Sequence, residues 1–416
     1  MTICPSFSGK HPCRCAEALL IGAVLLGAAA AAQAQHSAAA RTTNGETFAG
    51  RIEAISPDVM ISLADAAERR PLAADDLVRW GTRRELSALS LIVLAGGQLV
   101  AGEPVAIADD KLVCSCPLWG DRAFPLTTVA GVILRLPLAA AERDRLVDEL
   151  LAAEGRRDRI VTAGGSRIEG LLTGFDGRRF TIDLGAERTS LESRDVTAVV
   201  FNPSLLRRPP PAGLRLVVGF RDGTYLTAAK AWLESGKLTV VTPGDTTLVT
   251  HQAVDARQEI VFLQTLGGRA VYLSDLEPAS YRHVPFLSLP WPFHADRNAR
   301  GGWLRSADDV YHKGLGVHSY ALLAYQVPPE SRRLEAEIAL DAATGQRGSV
   351  VFRVYLDVGD GAWTAAYESP LVSGGQPPRP ISVPLEGARR VSLIVDFGQR
   401  GGELDLANWL DARFVK

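Results

Sequence analysis

The amino-acid sequence predicts a mainly β protein in three parts: an array of small β-repeat units, one inserted helix, and a C-terminal β-sandwich. Two observations support this prediction. Four segments upstream of residue 270 share a turn-centred pattern, and each is followed by a strand-like run of alternating apolar residues. From residue 271 onward, strand-like runs are separated by Gly, Pro and Asp clusters at regular intervals, which is typical of a sandwich.

The N-terminus predicts export. Lys10 and Arg14 precede an apolar, Ala-dominated run at 18–32, and a small-x-small pattern predicts cleavage after Ala34. Because polar sequence follows at once, a cleaved signal peptide is favoured over a retained anchor. No later segment reaches the roughly 18 consecutive apolar residues of a membrane helix. We therefore expect a secreted, periplasmic or cell-surface protein without a transmembrane segment after signal removal.

The charge and cysteine content narrow the class of partner. The chain has 45 basic and 47 acidic residues and a net charge of −2, so it lacks the basic footprint of a nucleic-acid-binding protein.

Cys114 and Cys116 are the cysteines that remain after signal removal. They share one face of a predicted strand, at the upper edge of disulfide reach. Buried free thiols and a strained bridge are the two interpretations.

The repeat is centred on a turn dipeptide with a small residue five positions after the turn glycine. Its four copies are Asn44-Gly-Glu-Thr-Phe-Ala-Gly50, Gly96-Gly-Gln-Leu-Val-Ala-Gly102, Gly164-Gly-Ser-Arg-Ile-Glu-Gly170 and Asp222-Gly-Thr-Tyr-Leu-Thr-Ala228. A second strand and then an apolar strand follow each copy, so each unit predicts a small, bent antiparallel sheet that resembles an Sm-like barrel. We expect the units to be a scaffold, because such repeats complete their cores against their neighbours.

Between the second and third repeats, residues 139–154 predict an inserted amphipathic helix with Leu146, Val147, Leu150 and Leu151 on one face. A Pro-rich stretch at 202–213 predicts a stiff linker. The predicted organisation is 1–34 signal peptide, 35–136 repeat units 1 and 2, 137–156 inserted helix, 157–268 repeat units 3 and 4 with the linker between them, and 269–416 C-terminal module.

The C-terminal module carries four motifs in order. They are Tyr272-Leu-Ser-Asp-Leu276, Lys313-Gly-Leu-Gly-Val-His-Ser319, Gly348-Ser-Val-Val-Phe-Arg-Val-Tyr355 and Asp405-Leu-Ala-Asn-Trp409. With these motifs the region 271–416 resembles the NPCBM family, the carbohydrate-binding modules associated with family 98 glycosyl hydrolases. The resemblance implies a jelly-roll-like sandwich that binds carbohydrate, galactose-containing glycans among them, without catalysis. At Leu406 the chain departs from the His that the family commonly has there.

A sugar offers an apolar C–H face to a flat aromatic ring and hydroxyls to polar groups. On this basis the predicted carbohydrate-binding candidates are Trp291, Trp303, Tyr311, His318, Arg353, Glu403, Asp405 and Trp409. Trp291 lies between two prolines and is the preferred platform, whereas Trp409 suits the core better. His318 follows a tight glycine turn and could donate to a sugar or cap neighbouring strands. Arg353 could pair with a carboxylate or face the ligand.

No cofactor is expected, with one exception. Asp357 and Asp360 in Asp357-Val-Gly-Asp-Gly361 suit a turn, and a calcium loop is the alternative interpretation of the same residues. Few further carboxylates follow at a fixed spacing, so the turn is favoured over the metal site.

The sequence favours a secreted, non-catalytic protein that binds a glycan or polysaccharide through its C-terminal module. An envelope structural protein with a decayed sugar site, contacting another envelope protein, is the alternative, and Leu406 favours it. An accessory part of a glycoside hydrolase system is a weaker third interpretation. An enzyme is disfavoured, because the sequence lacks a Gly-x-Ser-x-Gly elbow, a His-Glu-x-x-His helix and a phosphate loop.

Overall fold

The computed structural model describes the protein at residues 37–65, 68–86, 88, 90–208, 210, 212–286, 289–399 and 401–416. The predicted signal peptide lies outside these described residues. Over the described part of the chain, no helix is both long enough and apolar enough to cross a membrane.

The first half consists of four β-repeat units. Unit 1 comprises β1 (Ala38–Thr42), β2 (Thr47–Ile55), β3 (Met60–Ala64), β4 (Arg69–Ala73) and β5 (Leu77–Gly81). Unit 2 comprises β6 (Leu91–Leu94), β7 (Leu99–Ala101), β8 (Glu103–Ala108), β9 (Lys111–Cys116), β10 (Gly120–Pro125) and β11 (Val129–Ile133). Unit 3 comprises β12 (Asp158–Thr162), β13 (Arg167–Phe175), β14 (Arg179–Asp183), β15 (Arg188–Glu192) and β16 (Val196–Val200). Unit 4 comprises β17 (Arg215–Phe220), β18 (Tyr225–Ala228), β19 (Lys230–Glu234), β20 (Lys237–Val241), β21 (Thr247–Val249) and β22 (Ile260–Leu266).

All four units share one topology. In each unit the first two strands form an antiparallel hairpin, and the chain then continues into further antiparallel pairs such as β3–β4, β9–β10, β14–β15 and β20–β21. The last strand returns to pair with the first, as in β1–β5, β6–β11, β12–β16 and β17–β22. A single helical turn precedes the last strand in every unit, at Ala74–Asp76, Leu126–Thr128, Ser193–Asp195 and Ala256–Glu259. The predicted array of small, partly closed β units is therefore confirmed.

The small residue of each repeat lies where the second strand of the unit bends from one partner strand to the next. A Cβ atom on Gly170 would lie 2.5 Å from the carbonyl oxygen of Asp183, and a Cβ on Gly102 would lie 2.7 Å from the Sγ of Cys116. These approaches are too short for any larger side chain. In units 2 and 3 this position therefore requires glycine, because the chain folds closely over itself at the bend, whereas a Cβ atom at Gly50 of unit 1 would lie 3.4 Å from the Cβ of Leu63, an ordinary contact.

Neighbouring units are joined strand to strand. β5 of unit 1 pairs with β22 of unit 4, β7 of unit 2 with β18 of unit 4, and β11 of unit 2 with β16 of unit 3. The spatial order is therefore 1-4-2-3, which differs from the order along the chain. One apolar core runs through all four units, with Trp80, Trp119 and Phe180 among its fully buried side chains.

The inserted helix α1 spans Ala140–Leu151, close to the predicted bounds. Val147 and Leu150 are buried as expected, and Leu146 and Leu151 pack partly against the same core. Asp144 is also buried on this face, although the apolar pattern did not predict a carboxylate there. The helix therefore contributes a charged group to the interior as well as apolar side chains.

Cys114 and Cys116 are free thiols on β9, and both side chains are buried. Burial raises the pKa of both thiols, that of Cys116 to about 12. Of the two interpretations of this pair, the structure selects buried free thiols.

The C-terminal module is a sandwich of two antiparallel sheets. The first sheet has the order β25 (His294–Ala295), β28 (Gly314–His318), β36 (Leu406–Val415), β30 (Arg333–Leu340) and β34 (Arg379–Pro384), with β23 (Ala270–Tyr272) also paired to β36. The second has the order β24 (Ser280–His283), β29 (Ala321–Gln326), β35 (Arg390–Phe397), β31 (Ser349–Asp357) and β32 (Thr364–Glu368), with β33 (Val372–Ser373) also paired to β31. A hairpin of β26 (Leu304–Ser306) and β27 (Asp309–Tyr311) lies apart from both sheets. Trp409 and Phe352 meet edge to face between the sheets, with ring centroids 4.9 Å apart.

Buried charges join the module to unit 1. Arg79 on β5 donates to the Oδ2 of Asp411 on β36 at 2.7 Å and to the Oε1 of Glu337 on β30 at 3.3 Å. Gln264 on β22 donates to the Oδ1 of Asp411 at 2.9 Å, and Arg41 pairs with Glu337. Residues on both sides of position 268 therefore belong to one compact unit.

A second contact joins the module to helix α1 and unit 2. The guanidinium of Arg305 donates to both carboxylate oxygens of Asp144, at 2.6 and 2.7 Å, and also pairs with Glu85. Beside it, Arg83 lies between the rings of Tyr225 and Trp303, 3.9 and 4.2 Å from their centroids. Asp144 of the inserted helix can therefore be buried, because the guanidinium of Arg305 from the module compensates its charge.

Candidate functional site

Four of the predicted sugar contacts are buried, and the structure corrects their assignment. Trp409 and Asp405 are fully buried in the sandwich, while Trp303 and Tyr311 are buried at the contact with the repeat units. A side chain without an exposed face cannot stack on a ligand. These four residues therefore stabilise the fold, and none of them can contact a sugar in this structure.

Asp405 has a defined structural role next to the glycine-histidine segment. Its Oδ2 accepts a hydrogen bond from the hydroxyl of Ser319 at 2.6 Å, and its Oδ1 accepts from the backbone N–H of Ser349 at 2.9 Å. Desolvation raises the pKa of this carboxyl, and the two hydrogen bonds oppose the shift. Asp405 thus connects the ends of β28 and β31 from inside the sandwich.

Arg353 faces away from the core and pairs with two carboxylates. Its Nε donates to Glu368 at 2.7 Å, and its guanidinium also pairs with Asp396. Of the two predicted roles for Arg353, carboxylate pairing is the one present in the structure.

The predicted calcium loop is a tight turn. The Oδ1 of Asp357 accepts from the backbone N–H groups of Gly359 and Gly361, and its Oδ2 pairs with Arg390. Asp360 accepts from the N–H of Ala362 at 2.9 Å. Among the described residues, no group of three or more His, Cys, Asp or Glu side chains is arranged to hold a metal ion. Calcium at this loop would have to displace Arg390, and it stays a prediction.

A cleft of about 500 Å³ brings together three of the remaining candidates, Trp291, His318 and Glu403. It opens at one end of the sandwich, where β24 and β28 end and β36 begins. Its lining comprises His283, Pro285, Phe286, Leu289, Trp291, Arg300, His318, Ser319, Gly402, Glu403, Leu404 and Leu406. We call this the Trp291 cleft.

The centre of the Trp291 cleft is a stacked pair of rings. The indole of Trp291 lies 4.7 Å from the imidazole of His318, centroid to centroid, at an interplanar angle of 15°. His283 packs edge-on against His318 at 6.0 Å. The backbone N–H of Trp291 donates to the Nδ1 of His283 at 3.1 Å. This hydrogen bond holds the loop that carries the indole against the end of β24.

The hydrogen bonds of the two histidines define their tautomers. The Nε2 of His283 and the Nδ1 of His318 both lie within 3.0 Å of the backbone carbonyl oxygen of Ser319. A carbonyl oxygen only accepts, so each of these nitrogens carries a proton. The Nε2 of His318 is then the acceptor of its ring. Desolvation lowers the pKa of both histidines, which favours these neutral forms near pH 7.

The module matches a known domain family over residues 269–415, the segment that runs from β23 to the end of β36. These residues form an NPCBM/NEW2 domain. The family resemblance predicted from the four sequence motifs is therefore confirmed. The mainly β fold that the resemblance implied is also confirmed.

The NPCBM domain has relatives among known proteins. A protein named as an endo-alpha-N-acetylgalactosaminidase of Renibacterium salmoninarum is 33% identical over 106 residues, which is 26% of this chain and 7% of that relative. The solved structure of CBM51 from Clostridium perfringens GH95 in complex with methyl-galactose has 23% identity and a TM-score of 0.31, and the alignment covers 35% of this chain and 99% of that one. The tandem CBM51 modules of Sp3GH98 from Streptococcus pneumoniae have 13% identity and a TM-score of 0.30, with 62% and 87% covered.

Sequence reasoning missed part of the cleft of the NPCBM domain. Phe286 and Leu289 are 65% and 67% exposed at its rim, and Phe286 packs edge-on against Phe397 at 5.7 Å. The Pro-flanked, apolar character of 285–292 was the available signal, because a loop of this kind is normally polar. His283 had no such signal, since its role depends on a contact with a residue eight positions later.

Proposed function

We propose that the NPCBM domain is a non-catalytic glycan-binding module and that the Trp291 cleft is its binding site. The observation that carries the proposal is the Trp291–His318 stack inside a concave site with polar groups at its edge. A flat aromatic surface suits the C–H face of a sugar ring. The Nε2 of His318, the carboxylate of Glu403 and the guanidinium of Arg300 can serve its hydroxyls.

A galactose-type sugar is the proposed ligand class. The family resemblance implies galactose-containing glycans, and the relative from Renibacterium salmoninarum is named for an enzyme that acts on N-acetylgalactosamine. The match covers 7% of that relative, so its name is no argument for hydrolysis by this chain. We also propose that the chain is exported, with the repeat units as a scaffold.

The positions of the two nearby carboxylates support a non-catalytic role, because Glu403 lines the cleft and Asp405 does not. Glycoside hydrolysis generally uses two carboxyl groups that face the scissile bond. Asp405 is fully buried and held by Ser319 and Ser349, while Glu403 is exposed and pairs with Arg347 at 3.2 Å. Only Glu403 is therefore accessible to a ligand, whereas an acid–base pair requires both carboxyl groups to reach the scissile bond.

The test is glycan-array binding of the full chain, followed by calorimetry with the best ligand. Trp291→Ala should weaken binding about tenfold, since ring stacking and apolar contact of this kind contribute about 1.4 kcal/mol. The melting temperature should change little, because the indole lies on a loop at the surface. Trp363→Ala is the matched control, since Trp363 is a partly exposed indole elsewhere on the same module. Equal affinities of the Trp291 variant and the wild type would contradict the assignment of the cleft.

An envelope protein as partner is the second candidate, and Leu406 favours it. Leu406 pairs across the strands with His318 and presents an apolar side chain to the cleft. Together with Phe286 and Leu289, it gives the cleft an apolar side that would suit a protein contact. A folded chain that binds none of the arrayed glycans would favour this candidate over the first.

A further inference from the structure

A second groove lies within the repeat units, away from the NPCBM domain. It has a volume of about 610 Å³ and is formed by three parts of the chain. Unit 2 contributes the β6–β7 turn and the segment after β10, unit 4 contributes the β20–β21 loop, and the segment between units 3 and 4 contributes Arg207 and Arg208. We call this the Gln98 groove.

Gln98 is the unusual residue of this groove. Its side chain is 94% buried, lines the groove, and has an amide oxygen with no hydrogen-bond partner. An unmade hydrogen bond at a buried polar group costs roughly 1–3 kcal/mol. The corresponding residues of units 1 and 3, Glu46 and Ser166, are exposed and carry no such cost. Gln98 therefore offers a buried acceptor that no described residue satisfies.

The walls of the Gln98 groove are held in place by backbone hydrogen bonds. Ala95 donates to the carbonyl oxygen of Thr128 at 2.9 Å, and Arg207 donates to that of Thr127 at 2.8 Å. In the β20–β21 loop, the N–H of Thr246 donates to the hydroxyl of Thr242 at 3.2 Å. A site whose walls are already fixed loses little conformational entropy when a ligand binds.

The polar groups of the groove suit a hydroxyl-rich ligand. Arg207 and Asp245 both line it, and neither has an ion-pair partner among the residues that the structure describes. They supply a donor and an acceptor beside the amide of Gln98. Pro125 and Pro243 add flat apolar surface to the same lining. Neighbouring hydroxyls on a carbon ring match this mixture, whereas the carboxylate of Asp245 in the same lining would repel a phosphate group.

We propose that the Gln98 groove is a second saccharide-binding site, formed by repeat units 2 and 4 and the segment that joins units 3 and 4. The repeat units then contribute to recognition as well as to support. The site is separate from the Trp291 cleft and does not depend on it.

The test uses the full chain on an array of oligosaccharides that end in galactose, N-acetylgalactosamine, glucose, N-acetylglucosamine or a uronic acid. Trp291→Ala serves as the background, because it should weaken binding at the cleft of the NPCBM domain about tenfold and so reduce the contribution of the cleft to the signal. We expect binding to a subset of glycans to remain in this background. Adding Gln98→Leu or Arg207→Glu should weaken that binding at least about tenfold, the effect of losing one strong polar contact. Arg178→Glu, at an exposed turn of unit 3, is the matched control and should leave it unchanged.

Thermal unfolding separates recognition from a structural role for Gln98. Gln98→Leu removes the unsatisfied amide oxygen and introduces an apolar side chain of similar size, so the melting temperature should stay the same or rise. Reduced binding with unchanged stability supports the proposal. Affinities in the Trp291→Ala background that neither Gln98→Leu nor Arg207→Glu changes for any glycan would overturn it, and so would a Trp291→Ala chain that binds no glycan. The cleft of the NPCBM domain is tested independently by the effect of Trp291→Ala alone.

Discussion

The buried ion pairs between unit 1 and the NPCBM domain predict that the two regions unfold together, and Arg79→Ala tests this. Arg79 donates to Asp411 and Glu337, and its guanidinium lies 4.8 Å from the ring centroid of Tyr311. Burial opposes the charge of Arg79, but the two carboxylates raise its pKa above the ordinary value. The substitution removes the cation and leaves both carboxylates in the interior.

The expected loss can be worked out from the partners that remain. Removing one member of a buried ion pair costs about 3–5 kcal/mol, since an uncompensated charge stays behind. Asp411 keeps its hydrogen bond from Gln264, and Glu337 keeps Arg41 and the hydroxyl of Tyr311, which donates at 2.7 Å. These contacts limit the damage to the lower end of the range. We expect the free energy of unfolding to fall by about 3 kcal/mol.

Urea denaturation, followed by tryptophan fluorescence and far-UV circular dichroism, measures this change. Trp80 reports on unit 1 and Trp409 on the NPCBM domain, so one coincident transition would indicate a single cooperative unit. Arg179→Ala is the control, because Arg179 forms an exposed pair with Glu192, and exposed ion pairs contribute little to stability. If Arg79→Ala is no more destabilising than Arg179→Ala, the stabilising role of the buried pairs is refuted, and two separate transitions of the wild type would refute the joint unfolding of the two regions.

Two further predictions concern pH and the repeat. Although burial alone would raise it, Arg79 and Arg41 lower the pKa of Glu337 in the folded protein below the ordinary 4.5. The stabilisation from Glu337 is therefore present above pH 4.5 and is lost as pH falls through the lower, folded pKa. Glu337→Gln should make the free energy of unfolding fall less steeply as the pH decreases below 4.5. An unchanged decrease would show that other carboxyls control it. Gly170→Ala should destabilise the chain by about 1–3 kcal/mol, because its Cβ would overlap the carbonyl oxygen of Asp183. Gly174→Ala, on the same strand with open space around it, should be nearly neutral, and similar losses for both would contradict the role of the bend.

The repeat was predictable because it depends on local chemistry. Turn glycines and alternating apolar residues determine each hairpin, and the small residue at Gly50, Gly102, Gly170 and Ala228 marks the bend of each second strand. The order in which the units pair was not predictable. It depends on which strand edges meet after each unit has closed, and β5–β22 pairing joins segments far apart in the sequence.

The candidate site was predictable only in part. Trp291 and His318 were both predicted as contacts, and the structure stacks them in one cleft. Trp303 and Tyr311 had the same aromatic signal, yet they are buried where the module meets the repeat units. An aromatic residue suits a sugar platform and a buried interface equally well, so its type alone does not separate the two.

The sequence by itself determined the kind of protein this is. Four motifs indicate an NPCBM domain C-terminal to a β-repeat array, because turn residues, strand periodicity and family motifs are local features of the sequence. Only the tertiary structure decided which side chains face a ligand and which face another part of the chain. Arg79 and Asp411 are more than 300 positions apart, and their 2.7 Å contact depends on how two folded regions pack. Such contacts follow from the shapes and charges of finished surfaces, and the linear sequence carries no local signal for them.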